Sequence, residues 1–406
     1  MEPLILTSAP PADVLTEKPR IASIDIMRGI VMIIMALDHA RDFYHADAFL
    51  YDPLDLDRTT PFLFFTRFIT HFCAPTFVLL AGTAVRISEQ RKSKKEISWF
   101  LLSRGLWLIV LEVTVVRFSM FFNLYYDVIA FQVIWAIGFS MVLLAAIIRI
   151  PFNAILGLGL IITMGHDLLH GITLQGKDPI AVLWSFVHQF NIIEVAPGVT
   201  AMVLYPFLPW FGILLLGYCL GEWFRGDFDP SIRKKLLLRT GLFALILFVI
   251  LRTFNLYGDP TSWTEQKNAV YTFLSFLNVT KYPVSLQYTL VTLGPVLILL
   301  ALLERVNTPV LRPFSIVGRV PLFYYILHFY LLHLGAILLL MMRTGKGLSE
   351  IDFHFNAGFG GIPAGEGYPL FGAYLAWITV VLILYPLCNW YNNYKNTHKN
   401  WWLSYL

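Results

Sequence analysis

About ten runs of roughly 20 predominantly apolar residues recur between residue 21 and residue 390, with no hydrophilic block longer than about 35 residues between them. A backbone in lipid must satisfy its own hydrogen bonds, and a helix does so within one segment. The expectation is therefore an all-α, polytopic integral membrane helix bundle. Its spans are placed near residues 22 to 44, 61 to 86, 97 to 119, 127 to 148, 151 to 169, 200 to 223, 236 to 255, 284 to 304, 315 to 342 and 367 to 390. Composition agrees: 57% of the 406 residues are hydrophobic and only 14% are charged, against roughly 25% in an ordinary soluble domain. One membrane domain over 21 to 390 follows, flanked by cytoplasmic tails at 1 to 20 and 391 to 406. The first tail lacks the apolar core of a cleavable signal peptide.

Orientation is read from the cationic loops. Arg86, Arg91, Lys92, Lys94 and Lys95 form one cluster, and Arg225, Arg233, Lys234, Lys235 and Arg239 another. Both are expected to be cytoplasmic, and counting spans from either places both termini (Lys18, Arg20, Lys395, Lys399) on that side. Asp47, Asp52, Asp55 and Asp57 then lie in an outward loop, and the other long loops, 170 to 199, 256 to 283 and 343 to 366, also face outward. With the basic residues spread between spans, the net charge of +4 reports topology and gives no support to nucleic-acid binding.

The chemistry concentrates on the first span, which carries Asp25, Arg28, Asp38, His39, Arg41 and Asp42. Eleven residues of α-helix close to within about 20° of three whole turns, so Arg28 and His39 share a face at roughly 16 Å along the axis. Asp25, Arg28, Met32, Met35, His39 and Asp42 follow at steps of three and four, a stripe that is ionic at its ends and apolar between. Ionisable groups facing lipid cost several kcal/mol, so the stripe is expected to face the bundle or a wet cavity. The alternative is that Asp25 with Arg28, and Arg41 with Asp42, are solvated at the two interfaces. Asp38 and Asp42 are near enough in sequence to orient the His39 imidazole as a general base.

Asp25-x-x-Arg28-Gly29 followed by ten residues and His39 resembles the R-x10-H first helix of the membrane-bound acyltransferase-3 family, whose hallmark is this pair. The whole chain is closer to the bacterial relatives of heparan-α-glucosaminide N-acetyltransferase. It matches them at Gln132-x-x-Trp-Ala-Ile-Gly138, Pro209-Trp-Phe-Gly-Ile-Leu-Leu-Leu-Gly217, Lys281-Tyr-Pro-x-Ser-Leu286 with Thr292-Leu-Gly-Pro295, and Gly318-Arg-Val-Pro-Leu-Phe-Tyr-Tyr-x-x-His328. There is a departure: the lysosomal enzyme resembles this chain with Asn in place of His39 and its catalytic His at the position of Leu50. The loop here offers only His45 instead.

The resemblance implies transfer of an acyl group, in the first instance acetyl, from cytoplasmic acyl-coenzyme A to a hydroxyl or amino group of an extracytoplasmic, sugar-containing acceptor. The implied setting is a bacterial inner membrane, with the bilayer, acyl-coenzyme A and a glycan as partners and the oligomeric state open. His39 is expected to be the base, with His45 as its substitute. Among the substrate-binding candidates, Arg28 and Arg104 suit phosphates at the cytoplasmic mouth, while Arg41, His71 and Lys281 sit toward the outside. Lys281 could equally snorkel to headgroups, and His71 could be a packed core histidine. Glu112 and Arg117, five apart on one helix, are not expected to pair, and His328 and His333, also five apart, cannot ligate one metal as an i,i+4 pair would. No metal is expected, and the three cysteines sit singly inside apolar runs. No dinucleotide fingerprint, P-loop or G-x-S-x-G elbow is present. The rival class is a transporter or flippase using the same buried ionic residues.

Overall fold

The computed structural model describes residues 21–306, 308–398 and 400–404. The tail expected over 1 to 20, with Lys18 and Arg20, lies outside the described residues, as does Lys399.

The first span is one helix, α1 (Ala22–Tyr44). The second divides into α2 (Pro61–Thr70) and α3 (Cys73–Ser88), and the third into α4 (Lys94–Leu111), a π-helical turn over Glu112–Val116, and α5 (Arg117–Phe121). Next come α6 (Val133–Ile147), α7 (Phe152–Gly165), the short outer α8 (Pro179–Val187) and α9 (Phe207–Leu220). The chain continues through α10 (Pro230–Thr253), the short α11 (Ala269–Leu277), α12 (Leu286–Leu302), α13 (Arg312–Arg319), α14 (Pro321–Thr344) and α15 (Leu370–Thr397). Starts follow local chemistry. Thr60 caps α2 ahead of Pro61, Ser93 and Glu96 form a capping box on α4, and Asp229 and Ser285 cap α10 and α12.

Seven helical segments among the described residues are long and apolar enough to cross a membrane: Pro61–Arg91, Lys94–Phe121, Phe152–Leu169, Phe207–Phe224, Pro230–Thr253, Pro321–Thr344 and Leu370–Thr397. The protein is an integral membrane protein. The other three expected spans are helices of a different kind. α1 has the length but carries the ionic stripe, and α6 and α12 have 15 and 17 residues.

Two expected spans begin later than hydropathy suggested, because a small sheet precedes them. β1 (Val128–Phe131), β2 (Asn191–Ala196) and β3 (Val199–Val203) lie in the order β1-β3-β2, with β1 parallel and β2 antiparallel to β3. Short apolar runs rich in Val, Ile and Phe cannot be told from helix by hydropathy alone, and the Pro197-Gly198 turn, with Gly198 at φ +73°, closes the β2–β3 hairpin. Glu112 and Arg117 go separate ways as expected. Glu112 accepts the Trp135 N–H at 3.1 Å in the first turn of α6, while Arg117 pairs with Asp127 at 3.1 Å and donates to the Val128 carbonyl.

Lipid gives no hydrophobic drive between helices, so small residues that let backbones approach matter most. The four most extensive helix pairs are α10 on α12, α3 on α9, α1 on α13 and α4 on α6. Each has a glycine from both sides at its contact: Gly241 and Gly294, Gly82 and Gly217, Gly29 and Gly318, Gly105 and Gly138. The α1–α13 crossing is the tightest. A methyl on Gly29 would sit 1.8 Å from the Phe314 carbonyl oxygen, and one on Gly318 1.8 Å from that of Asp25. Gly29→Ala is expected to destabilise the protein by at least ~1–3 kcal/mol, read as a lowered thermal midpoint in detergent. An unchanged midpoint would mean that α1 and α13 do not meet backbone to backbone.

Candidate active site

α1 is wrapped by α2, α3, α12, α13, α14 and α15, so its ionic stripe faces protein. Met32 and Met35, between the charged ends, are each 5% exposed. At one end Asp25 lies 3.5 Å from Arg28 and 3.5 Å from Arg319 of α13, and Arg28 also reaches the Leu80 carbonyl of α3 at 3.4 Å. Two guanidiniums therefore share one carboxylate.

At the other end His39 turns toward α14. Its Nδ1 is 2.6 Å from Nε2 of His328, and its ring stacks on Phe329 with centroids 4.1 Å apart. His328 Nδ1 lies 3.2 Å from the Tyr324 carbonyl oxygen. A carbonyl only accepts, so that nitrogen carries a proton, and in the neutral ring Nε2 is then an acceptor. His39 Nδ1 donates to it, which leaves the lone pair on His39 Nε2. The two imidazoles form a hydrogen-bonded pair anchored on a backbone carbonyl.

The carboxylates expected to orient His39 are engaged elsewhere. Asp38 pairs with Arg67 of α2 and lies 3.5 Å from Arg41, and Asp42 accepts from Arg41 at 2.5 Å. Adjacent residues on a helix point about 100° apart, so Asp38 faces α2 while His39 faces α14. His45 caps the end of α1, bonding its N–H to the Arg41 carbonyl at 2.9 Å and pairing with Tyr368 through the backbone. Burial holds its imidazole below its ordinary pKa, against the pull of Asp47.

The outer candidates Arg41, His71 and Lys281 come together. His71, 1% exposed, lies in the break between α2 and α3, where Tyr288 donates to its freed carbonyl at 2.8 Å. Lys281 is 8% exposed, so it is buried and does not snorkel to headgroups. It acts electrostatically on Asp38, His39 and His71, and Arg67 and Arg41 act on His71 as well. Arg104 is half-buried on α4, a helix packed chiefly on α6. His333 diverges from His328 as its spacing required, with its ring nitrogens 2.8 Å and 2.7 Å from the carbonyls of Ser119 and Gly360. Among the described residues no group of three or more His, Cys, Asp or Glu is placed to hold a metal ion.

The family model for heparan-alpha-glucosaminide N-acetyltransferase, catalytic, matches residues 20–253, more than half of the chain. The chain belongs to this family. It is an acyltransferase of the membrane. No curated protein matches it. The matched segment holds Arg28, His39, Arg67 and His71, while Lys281, Arg319 and His328 come from beyond it. Arg319 and His328 stand in a family motif but carry no assigned catalytic role in the sequence, and Arg67 is not among the sequence-based candidates. The signal for Arg67 was present, since a guanidinium within an apolar run must have a partner.

Asp38 compensates buried guanidiniums from two helices. Asp38→Asn is expected to cost ~3–5 kcal/mol, because it leaves those charges unpaired. Adding Arg67→Gln should recover part of the loss in thermal unfolding. A double variant no more stable than the single one would mean that the pair is not coupled.

Proposed function

We propose that the protein transfers an acyl group, in the first instance acetyl, from acyl-coenzyme A to a hydroxyl or amino group of a sugar-containing acceptor, across the plasma membrane of a bacterium. The observation that carries the reading is the His39–His328 relay, which presents a proton-accepting nitrogen inside the bundle of a membrane acyltransferase. The acceptor's oxygen or nitrogen attacks the thioester carbonyl, His39 Nε2 takes the proton released by that attack, and collapse of the tetrahedral intermediate expels the coenzyme A thiolate, which takes the proton back. The basic loops mark the cytoplasmic side, so Arg28 and Arg319 stand at the donor's mouth, where guanidiniums suit phosphate oxygens. The His39 end then opens toward the acceptor's side.

Purified protein in detergent, given radiolabelled acetyl-coenzyme A and glucosamine, tests this. His39→Ala is expected to lower turnover by ~10²–10⁴-fold, with His45→Ala close to wild type. If only His45→Ala abolished transfer, the base would be His45. His328→Ala is expected to cost ~100-fold by releasing the orientation of His39, and His328→Gln, which keeps an acceptor for His39 Nδ1, should retain more activity than His328→Ala. Equal losses in the two variants would remove His328 from the relay.

A further inference from the structure

The outer end of α1 carries an imbalance that the relay does not use. Arg41, Arg67 and Lys281 bring three positive charges into electrostatic reach of two carboxylates, Asp38 and Asp42. Asp38 is taken by Arg67 and Arg41, and Asp42 by Arg41. Among the described residues no carboxylate lies within ion-pair distance of Lys281, although it is 92% buried by its 8% exposure. Its ammonium has a hydrogen bond with Tyr282 and feels Asp38 only at longer range, and a buried ammonium with no carboxylate in direct contact is a costly group for a protein to hold.

Hydrogen-bond donors are left over in the same place. Nε and Nη1 of Arg41, which is 5% exposed, and both ring nitrogens of His71 are buried with no hydrogen-bond partner among the described residues. Native proteins leave few such atoms, and each asks for a partner. Arg41 cannot act as an acceptor, and a His71 ring in this field offers at least one N–H. The field is felt by Tyr282 as well. Burial pushes its phenol up, yet Lys281 and Arg67 together hold it below its ordinary pKa. The missing partner is thus an acceptor with negative charge.

We propose that Arg41, His71 and Lys281 form a subsite for an anionic group, a carboxylate or a phosphate monoester, carried by the acceptor beside the group that is acylated. The assignment of that anion to the acceptor rests on the acyl-transfer reading above. Arg41 has its Nη2 taken by Asp42 and Asp38, and its Nε and Nη1, which lie on different edges of the guanidinium, each offer a single charge-assisted hydrogen bond to an anion. Lys281 supplies the compensating charge, and His71 a further donor from the α2–α3 break. A neutral sugar would leave the ammonium uncompensated, so the site discriminates by charge.

The full chain in detergent is tested with acetyl-coenzyme A and three acceptors: glucosamine, glucosamine 6-phosphate and muramic acid, which carries a carboxylate. One of the two anionic sugars is expected to exceed glucosamine at least tenfold in kcat/KM. That ratio should fall to near one in Lys281→Met and be kept in Lys281→Arg. The same anionic sugar, without coenzyme A, should raise the thermal midpoint of wild type more than glucosamine does, and this difference should vanish in Lys281→Met. Equal kcat/KM for neutral and anionic acceptors would overturn the subsite. So would stabilisation by inorganic phosphate alone, which would assign the cluster to a free anion. If no sugar were acetylated while the charge-dependent thermal shift persisted, the subsite would stand and the transfer reaction would fall.

Discussion

Every arrangement around α1 answers one cost, that of holding ionised side chains in a medium that cannot solvate them. A helix with Asp25, Arg28, Asp38, Arg41 and Asp42 is unsuited to face lipid, so six other helices enclose it and supply counter-charges from α2 and α13. Enclosure also fixes the chemistry. Arg67 and Arg41 engage Asp38 and Arg41 engages Asp42, while the side-chain hydrogen-bond partner of His39 is His328 of α14.

Such enclosure needs backbones close together. Around α1 the glycine at 29 lets α13 come near enough for Arg319 to reach Asp25, and the same device recurs where α3 meets α9, α4 meets α6 and α10 meets α12. Breaks in the helices serve the same end. The interruption at His71 frees a carbonyl, which the Tyr288 hydroxyl satisfies, and brings an imidazole to the outer cluster that a continuous helix would place elsewhere. The fold thus keeps two polar regions at the ends of one helix, with Met32 and Met35 between them.

Much of this was legible in the chain. The apolar runs gave the membrane class and the positions of the main helices, and the Arg28–His39 spacing gave the inward stripe, because both depend on periodicities fixed by backbone geometry alone. The β1 and β3 segments were misread as the starts of spans because hydropathy cannot separate a short buried strand from a helix turn.

What the sequence determined by itself was periodic and local: which segments are apolar, which residues share a face, and that ionised groups on α1 must turn inward. What only the tertiary structure decided was pairing between segments far apart in the chain. His39 with His328, Asp38 with Arg67, and Lys281 beside His71 join residues whose separation carries no local pattern. The physical reason is that hydrogen bonds and ion pairs have a reach of only a few ångströms, so partners are chosen by how the helices cross, and the crossings are set by packing contacts distributed over the whole bundle.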